Sequence, residues 1–275
     1  MKLKDMSVKI ERYYSPVLLL IASVIGIHAF IWPLYLPDSS FFLFTPDSAR
    51  ALAIIIAFIA VSIIALDISY GILDSKNVAL LGVLSALIAA LRLVGAGAIG
   101  LEPMWFLLIT SSFVFGARFG FSLGILSLAI SALLTGGIGP WLPFQMLAAG
   151  WIGYFSGLIG IGFRRASYSA QRFVLIGVGI ITSLSFGVLM DLQLWPWVAG
   201  IDTQLSFTPG DSIVDNLQKF LIFHFATALA WDIPRAFTTS LLIALTSIPI
   251  VKSLERARIK LNITSHAMAR KAHAQ

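Results

Sequence analysis

Four charged side chains sit where apolar runs surround them: Arg92, Asp191, Asp232 and Arg235. A charge at membrane depth is costly, so such a residue marks a substrate or ion site unless it is neutralised or reaches the interface. Asp232 and Arg235 are three apart and can pair on one helix face. Arg92 can extend its stem to water, and Asp191 stands just before a Trp-Pro pair where water can solvate it. Asp67, near the end of another apolar run, fits the interface. The chemistry open to this set is recognition, in which apolar walls and a few converging polar groups hold a small ligand.

Catalytic chemistry has no comparable set. The chain contains no cysteine, which removes disulfides, thiolate metal sites and cysteine nucleophiles. There is no Gly-x-Ser-Gly, no His-Glu-x-x-His zinc pair and no paired intramembrane Asp motif. His28, His224, His266 and His273 are not spaced as a metal pair. No P-loop appears, so ATP hydrolysis is not expected of this chain, and neither a cofactor nor a metal is expected in it.

Aromatic and amide groups supplement the charges. Six of the seven tryptophans (Trp32, Trp105, Trp141, Trp195, Trp197 and Trp231) fall near one membrane face, with Trp151 deeper. Interfacial belts normally decorate both faces. The bias fits an aromatic cup around a ligand, or a belt shared with Tyr13, Tyr14, Tyr70 and Tyr168 on the other side. Gly136-Gly137-Ile138-Gly139-Pro140-Trp141-Leu142-Pro143-Phe144-Gln145 gives a bent backbone that delivers Gln145 into the start of a helix. A glutamine buried there needs a partner, from protein or from ligand.

These residues must be positioned by membrane helices. The 275 residues are 58% hydrophobic and 12% charged, against about 25% charged in a soluble domain. Mean hydropathy is +0.92. A soluble enzyme, a disordered chain and a disulfide-stapled secreted domain are thereby excluded. Apolar runs cover 16–36, 51–72, 78–95, 103–115, 121–134, 141–163, 173–192 and a last one ending near Val251. With about 20 residues per span, eight helices leave only short loops. The first run is long for a signal peptide and lacks a small-x-small cleavage site, so it reads as a retained helix. Gly116-Ala117-Arg118-Phe119-Gly120 reads as a tight turn, and Leu194-Trp195-Pro196-Trp197 as a corner after the seventh run. Thr208-Pro209-Gly210-Asp211 reads as a turn, with Asp211 or Ser212 capping a helix that runs on to a kink at Pro234.

The basic residues orient the bundle. With the N-terminus in the cytoplasm, fifteen of the nineteen Lys and Arg fall on cytoplasmic segments: four before residue 13, then Lys76, Arg118, Arg164, Arg165 and Arg172, and six from Lys252 onward. Arg50 and Lys219 lie outside, and Arg92 and Arg235 lie within helices. This bias places both termini inside.

On the third run Gly82, Ala86 and Ala90 recur every four residues and share one face. Such a flat stripe lets another helix approach closely in lipid. That helix belongs either to the same bundle or to another protein. Gly124 and Ser131 make a weaker stripe on the fifth run.

From Val78 to Arg256, about two thirds of its length, the chain resembles the substrate-specific (S) component of bacterial energy-coupling factor transporters. The likeness is carried by four features: the Gly82-Ala86-Ala90 stripe, the Gly139-Pro140-Trp141-Leu142-Pro143-Phe144-Gln145-Met146 loop entering a Gly-rich helix, the Trp195-Pro196 pair, and Ala230-Trp231-Asp232-Ile233-Pro234-Arg235-Ala236. The last three are closest to the branch proposed to carry cobalamin or similar large vitamins. The resemblance implies an all-α core over 78–256 with six membrane helices. Residues 1–77 then supply a basic segment and two extra helices, and 257–275 a basic cytoplasmic tail.

It further implies a vitamin-importing subunit of the bacterial cell membrane, best matched to cobalamin. Its partners would be a transmembrane coupling subunit and a pair of ABC ATPases, with no nucleic acid. Gly82, Ala86 and Ala90 would face the coupling subunit. Substrate would sit in a cavity open to the outside, under the loops that follow Gly95, Leu134 and Leu192. Arg92 or Arg235 would hold an anionic or amide group, Trp105, Trp141 and Trp195 would stack on a ring, and Gln145, Asp191 and Asp232 would complete the site. Queuosine-like bases, thiamin precursors and lipoate-sized acids are further substrate candidates. The alternative is a membrane scaffold without a ligand.

Overall fold

The protein is described by a computed structural model covering residues 3–35, 55, 58–59, 61–66, 69, 75–95, 100–198, 203, 205–208 and 210–273, with the side chains of 17–34 and 55–260 among these. The described residues are helical and contain no strand. Eight helices are delimited: α1 (Leu3–Tyr35), α2 (Ser75–Val94), α3 (Met104–Phe115), α4 (Ala117–Thr135), α5 (Leu142–Phe163), α6 (Tyr168–Val198), α7 (Ile213–Thr227) and α8 (Leu229–His273). Six stretches are long and apolar enough to cross a membrane: 17–34 in α1, α2, α4, α5, α6 and 229–260 in α8. The chain is thus a multi-pass helical membrane protein. The expected span 51–72 lies largely outside the described residues, and Asp67 lies outside them altogether.

Close backbone approach sets the packing. A Cβ on Gly120 would meet the Gly153 carbonyl, and one on Gly153 the Gly120 carbonyl. Gly124 faces Ala149 in the same way, Gly157 faces Gly116 and Ala117, and Gly160 faces the Phe113 carbonyl. Small residues every four positions thus join α4 to α5. The stripe at Gly82, Ala86 and Ala90 behaves differently. All three are exposed, nothing described lies within 4 Å of a Cβ on Gly82, and α2 buries Leu81, Leu84, Ser85, Ile88 and Ala89 instead.

The antiparallel pair α6 and α8 is fastened along its length. Gly187 lies against Asp232, Gly179 against Thr239 and Ile243. Tyr168 donates to Glu255 at 2.9 Å, beneath the Lys252 ammonium at 4.8 Å from its ring centre. The Arg258 guanidinium donates to the Val114 carbonyl at 2.8 Å, filling an acceptor left open at the end of α3. α1 packs beside this core: Trp151 donates to Ser23 at 2.9 Å, and Phe30 meets Phe144 edge-on at 5.1 Å.

Several boundaries differ from the sequence expectations. The turn expected over 116–120 is Gly116 alone, at φ 100°, and α4 begins at Ala117. One residue suffices because only glycine adopts that backbone at little cost. The Trp195-Pro196 corner is not a corner: α6 continues through Pro196 to Val198. Ser212, not Asp211, caps α7, accepting the Asp215 N–H at 3.1 Å. The helix expected to bend at Pro234 is interrupted earlier, at Ala228, whose carbonyl accepts from both Trp231 and Asp232. Pro234 sits in the second turn of α8, so the Ala230 carbonyl receives no helical N–H from it. The tail is helical through His273.

Candidate functional site

One end of the bundle collects the ends of α2, α4 and α6 and the starts of α3, α5 and α8. Lys76, Arg118, Arg164, Arg165, Arg172 and Lys252 belong to the other end. At the first end lies a cavity of about 600 Å³. Its polar lining is Glu102, Gln145, Asp191, Thr227, Asp232 and Arg235, and its apolar lining includes Phe186, Met190, Phe223 and Trp231.

Arg235 is the hub. It is buried, and its Nε donates to Glu102 at 2.9 Å while Nη1 donates to Asp232 at 2.6 Å. The guanidinium also lies 5.1 Å from the centre of the Phe186 ring. Glu102 accepts a second bond, from Trp105 Nε1. The sequence builds this arrangement through glycine. Gly100, at φ +64°, packs against Trp231, Pro234 and Arg235, so the chain can turn there and bring Glu102 back over α8. Gly187 leaves room for the Asp232 carboxylate against α6. Asp232 Oδ1 is engaged by Arg235, whereas buried Oδ2 has no hydrogen-bond partner among the described residues. A buried polar atom without a partner is uncommon and calls for an explanation.

Two further polar pairs flank the hub. His224 Nδ1 donates to Asp191 at 2.8 Å, with the ring stacked on Phe220 at 5.9 Å. Arg92 donates to Ser131 at 3.2 Å and to the Gln145 side-chain oxygen at 3.0 Å, which fixes Gln145 at the cavity.

No family model, curated protein or solved structure matches this chain.

Of the residues singled out in the sequence, Gln145, Asp191, Asp232 and Arg235 converge on the cavity, with Arg92 behind Gln145. Three tryptophans stand elsewhere. Trp105 is buried, holding Glu102 and meeting Phe186 at 4.5 Å. Trp195 is fully buried, donates to the Leu205 carbonyl at 2.6 Å and packs on Phe207 and Phe220. Trp141 is exposed at the start of α5. The tryptophan on the cavity wall is Trp231. Glu102 and His224 escaped sequence reasoning. Glu102 sits beside Pro103 in a short connection, and its one signal was an acidic residue next to a helix start. His224 gave none beyond its position in an apolar helix.

Proposed function

We propose that this protein is the substrate-binding membrane subunit of an energy-coupling factor type importer, taking up a vitamin or related micronutrient. The observation that carries this reading is the cavity: it lies at the end of the bundle away from Lys76, Arg118, Arg164, Arg165, Arg172 and Lys252 and gathers buried charge among apolar walls. With the basic end in the cytoplasm, the cavity opens to the outside and both termini lie inside, in a bacterial cell membrane. The exposed Gly82-Ala86-Ala90 face supports a second part of the reading, docking on a transmembrane coupling subunit that works with two ABC ATPases. Capture occurs outside, docking follows, and the subunit topples to release substrate inside.

A cavity of about 600 Å³ falls in the range of ordinary small-ligand sites. It suits a base, a thiamin precursor or a lipoate-sized acid better than a corrinoid. The first test is extraction of the detergent-purified protein, from a host grown in rich, cobalamin-supplemented medium, followed by mass spectrometry. A stoichiometric vitamin supports the binding role and identifies the substrate. An empty protein that also fails to bind a vitamin panel leaves the scaffold alternative. Docking is tested by Ala86→Trp with Ala90→Trp, which should abolish uptake and leave binding intact. Equal loss of binding would make the stripe internal packing.

A further inference from the structure

Both arginines of the site are already committed to protein acceptors. Arg235 is held by Glu102, Asp232 and the Phe186 face. Arg92 is held by Ser131 and Gln145. The carboxylates are in excess: Glu102, Asp191 and Asp232 line the cavity against two guanidiniums, Arg235 on its wall and Arg92 behind Gln145, and His224, which faces Asp191, is neutral unless protonated. Asp232 is 2% exposed, yet its Oδ2 has no partner among the described residues. An anion entering here would meet carboxylates and no uncommitted cation. A neutral hydroxyl could satisfy Oδ2 but would leave the surplus charge in an apolar surround. A metal ion is a poor fit, since no group of three His, Asp or Glu able to hold one forms among the described residues.

We infer that the cavity takes an organic cation bearing N–H donors, a protonated amine or cationic nitrogen heterocycle, with Asp232 Oδ2 as its acceptor and Asp191 as a second counter-charge. Trp231 and Phe223 supply aromatic surface on the same wall, and aromatic faces attract cations. The inference rests on the binding role proposed above and reverses one part of the sequence expectation, in which Arg92 or Arg235 held an anion. The arginines instead organise the acids.

The test uses the full chain in detergent. The extracted compound is identified, and tryptophan fluorescence is titrated with thiamin, a permanent cation, and with pantothenate, an anion. The expected result is a cationic extracted compound, or a preference for thiamin of about tenfold or more. Asp232→Asn should erode cation binding. Asp191→Asn, which breaks only the contact to His224 among the described residues, serves as a second variant should Asp232→Asn fail to fold. An anionic or neutral stoichiometric ligand, or a preference for pantothenate, overturns the cation inference and leaves the binding role standing. An empty protein that binds neither probe overturns the binding role, and the inference with it.

Discussion

Arg235 shows how one side chain can make a polar site tolerable inside an apolar protein. It pairs with Asp232 beside it and with Glu102 from a distant connection. Removing one partner of a buried pair costs about 3–5 kcal/mol, because the remaining charge is stranded. Arg235→Met strands Asp232 and leaves Glu102 with Trp105 alone, so the thermal unfolding midpoint in detergent should fall sharply. Arg235→Lys should rescue it only in part, since an ammonium cannot reproduce the fork held between two acids. Gly187→Ala drives a methyl group into the Asp232 carboxylate. It should cost roughly 1–3 kcal/mol as overpacking and weaken ligand binding together with stability. The Asp232–Arg235 pair was legible in the sequence because three-residue spacing fixes a helix face. The partnership of Arg235 with Glu102 was not, because it spans 133 positions and depends on the turn at Gly100.

Among the elements, two glycine-bearing faces have opposite fates. Gly120 and Gly153 each look into the other's carbonyl, while no described residue lies within 4 Å of a Cβ on Gly82. Gly120→Leu should therefore separate α4 from α5 and lower the unfolding midpoint strongly. Gly82→Leu should leave that midpoint unchanged. Hydropathy placed most helices, since an apolar run of that length has few other uses. The α4–α5 contact was obscured because Gly116 and Gly120 look like a turn in sequence. Only the single-residue link at Gly116 shows that Gly120 belongs to a helix face. Tryptophan exposure was hidden for a related reason: an indole serves equally well as a belt, a wall or a buried prop, and Trp195 proved to be a prop.

At the scale of the whole molecule, charge distribution and cavity agree. Lys76, Arg118, Arg164, Arg165, Arg172 and Lys252 gather at the end opposite the cavity. The absence of cysteine makes the resulting orientation simple to test, because a single introduced thiol is the only one present. A maleimide that cannot cross the membrane should label Ser212→Cys in intact cells. Ser167→Cys, at the basic end, should react only after the membrane is opened. The reverse pattern would place the cavity in the cytoplasm and remove the import reading. The charge bias was fully legible in the sequence, because it needs only the helix order. The net character of the cavity was not, since it depends on which charges cancel one another.

The glycine seam between α4 and α5 also has a mechanical meaning. Two helices whose backbones touch at successive turns behave as one beam, with few side chains between them to slide or reorient. The cavity is walled mainly from the other side, by α6, α7 and the start of α8. There α7 meets α8 across Ala228, one carbonyl serving two N–H groups. If the cavity widens to admit a ligand, the compliance must come from that joint while the beam stays still. Widening would then be a rotation about residue 228, and a distance label on α7 should move relative to α5 when none on α4 does.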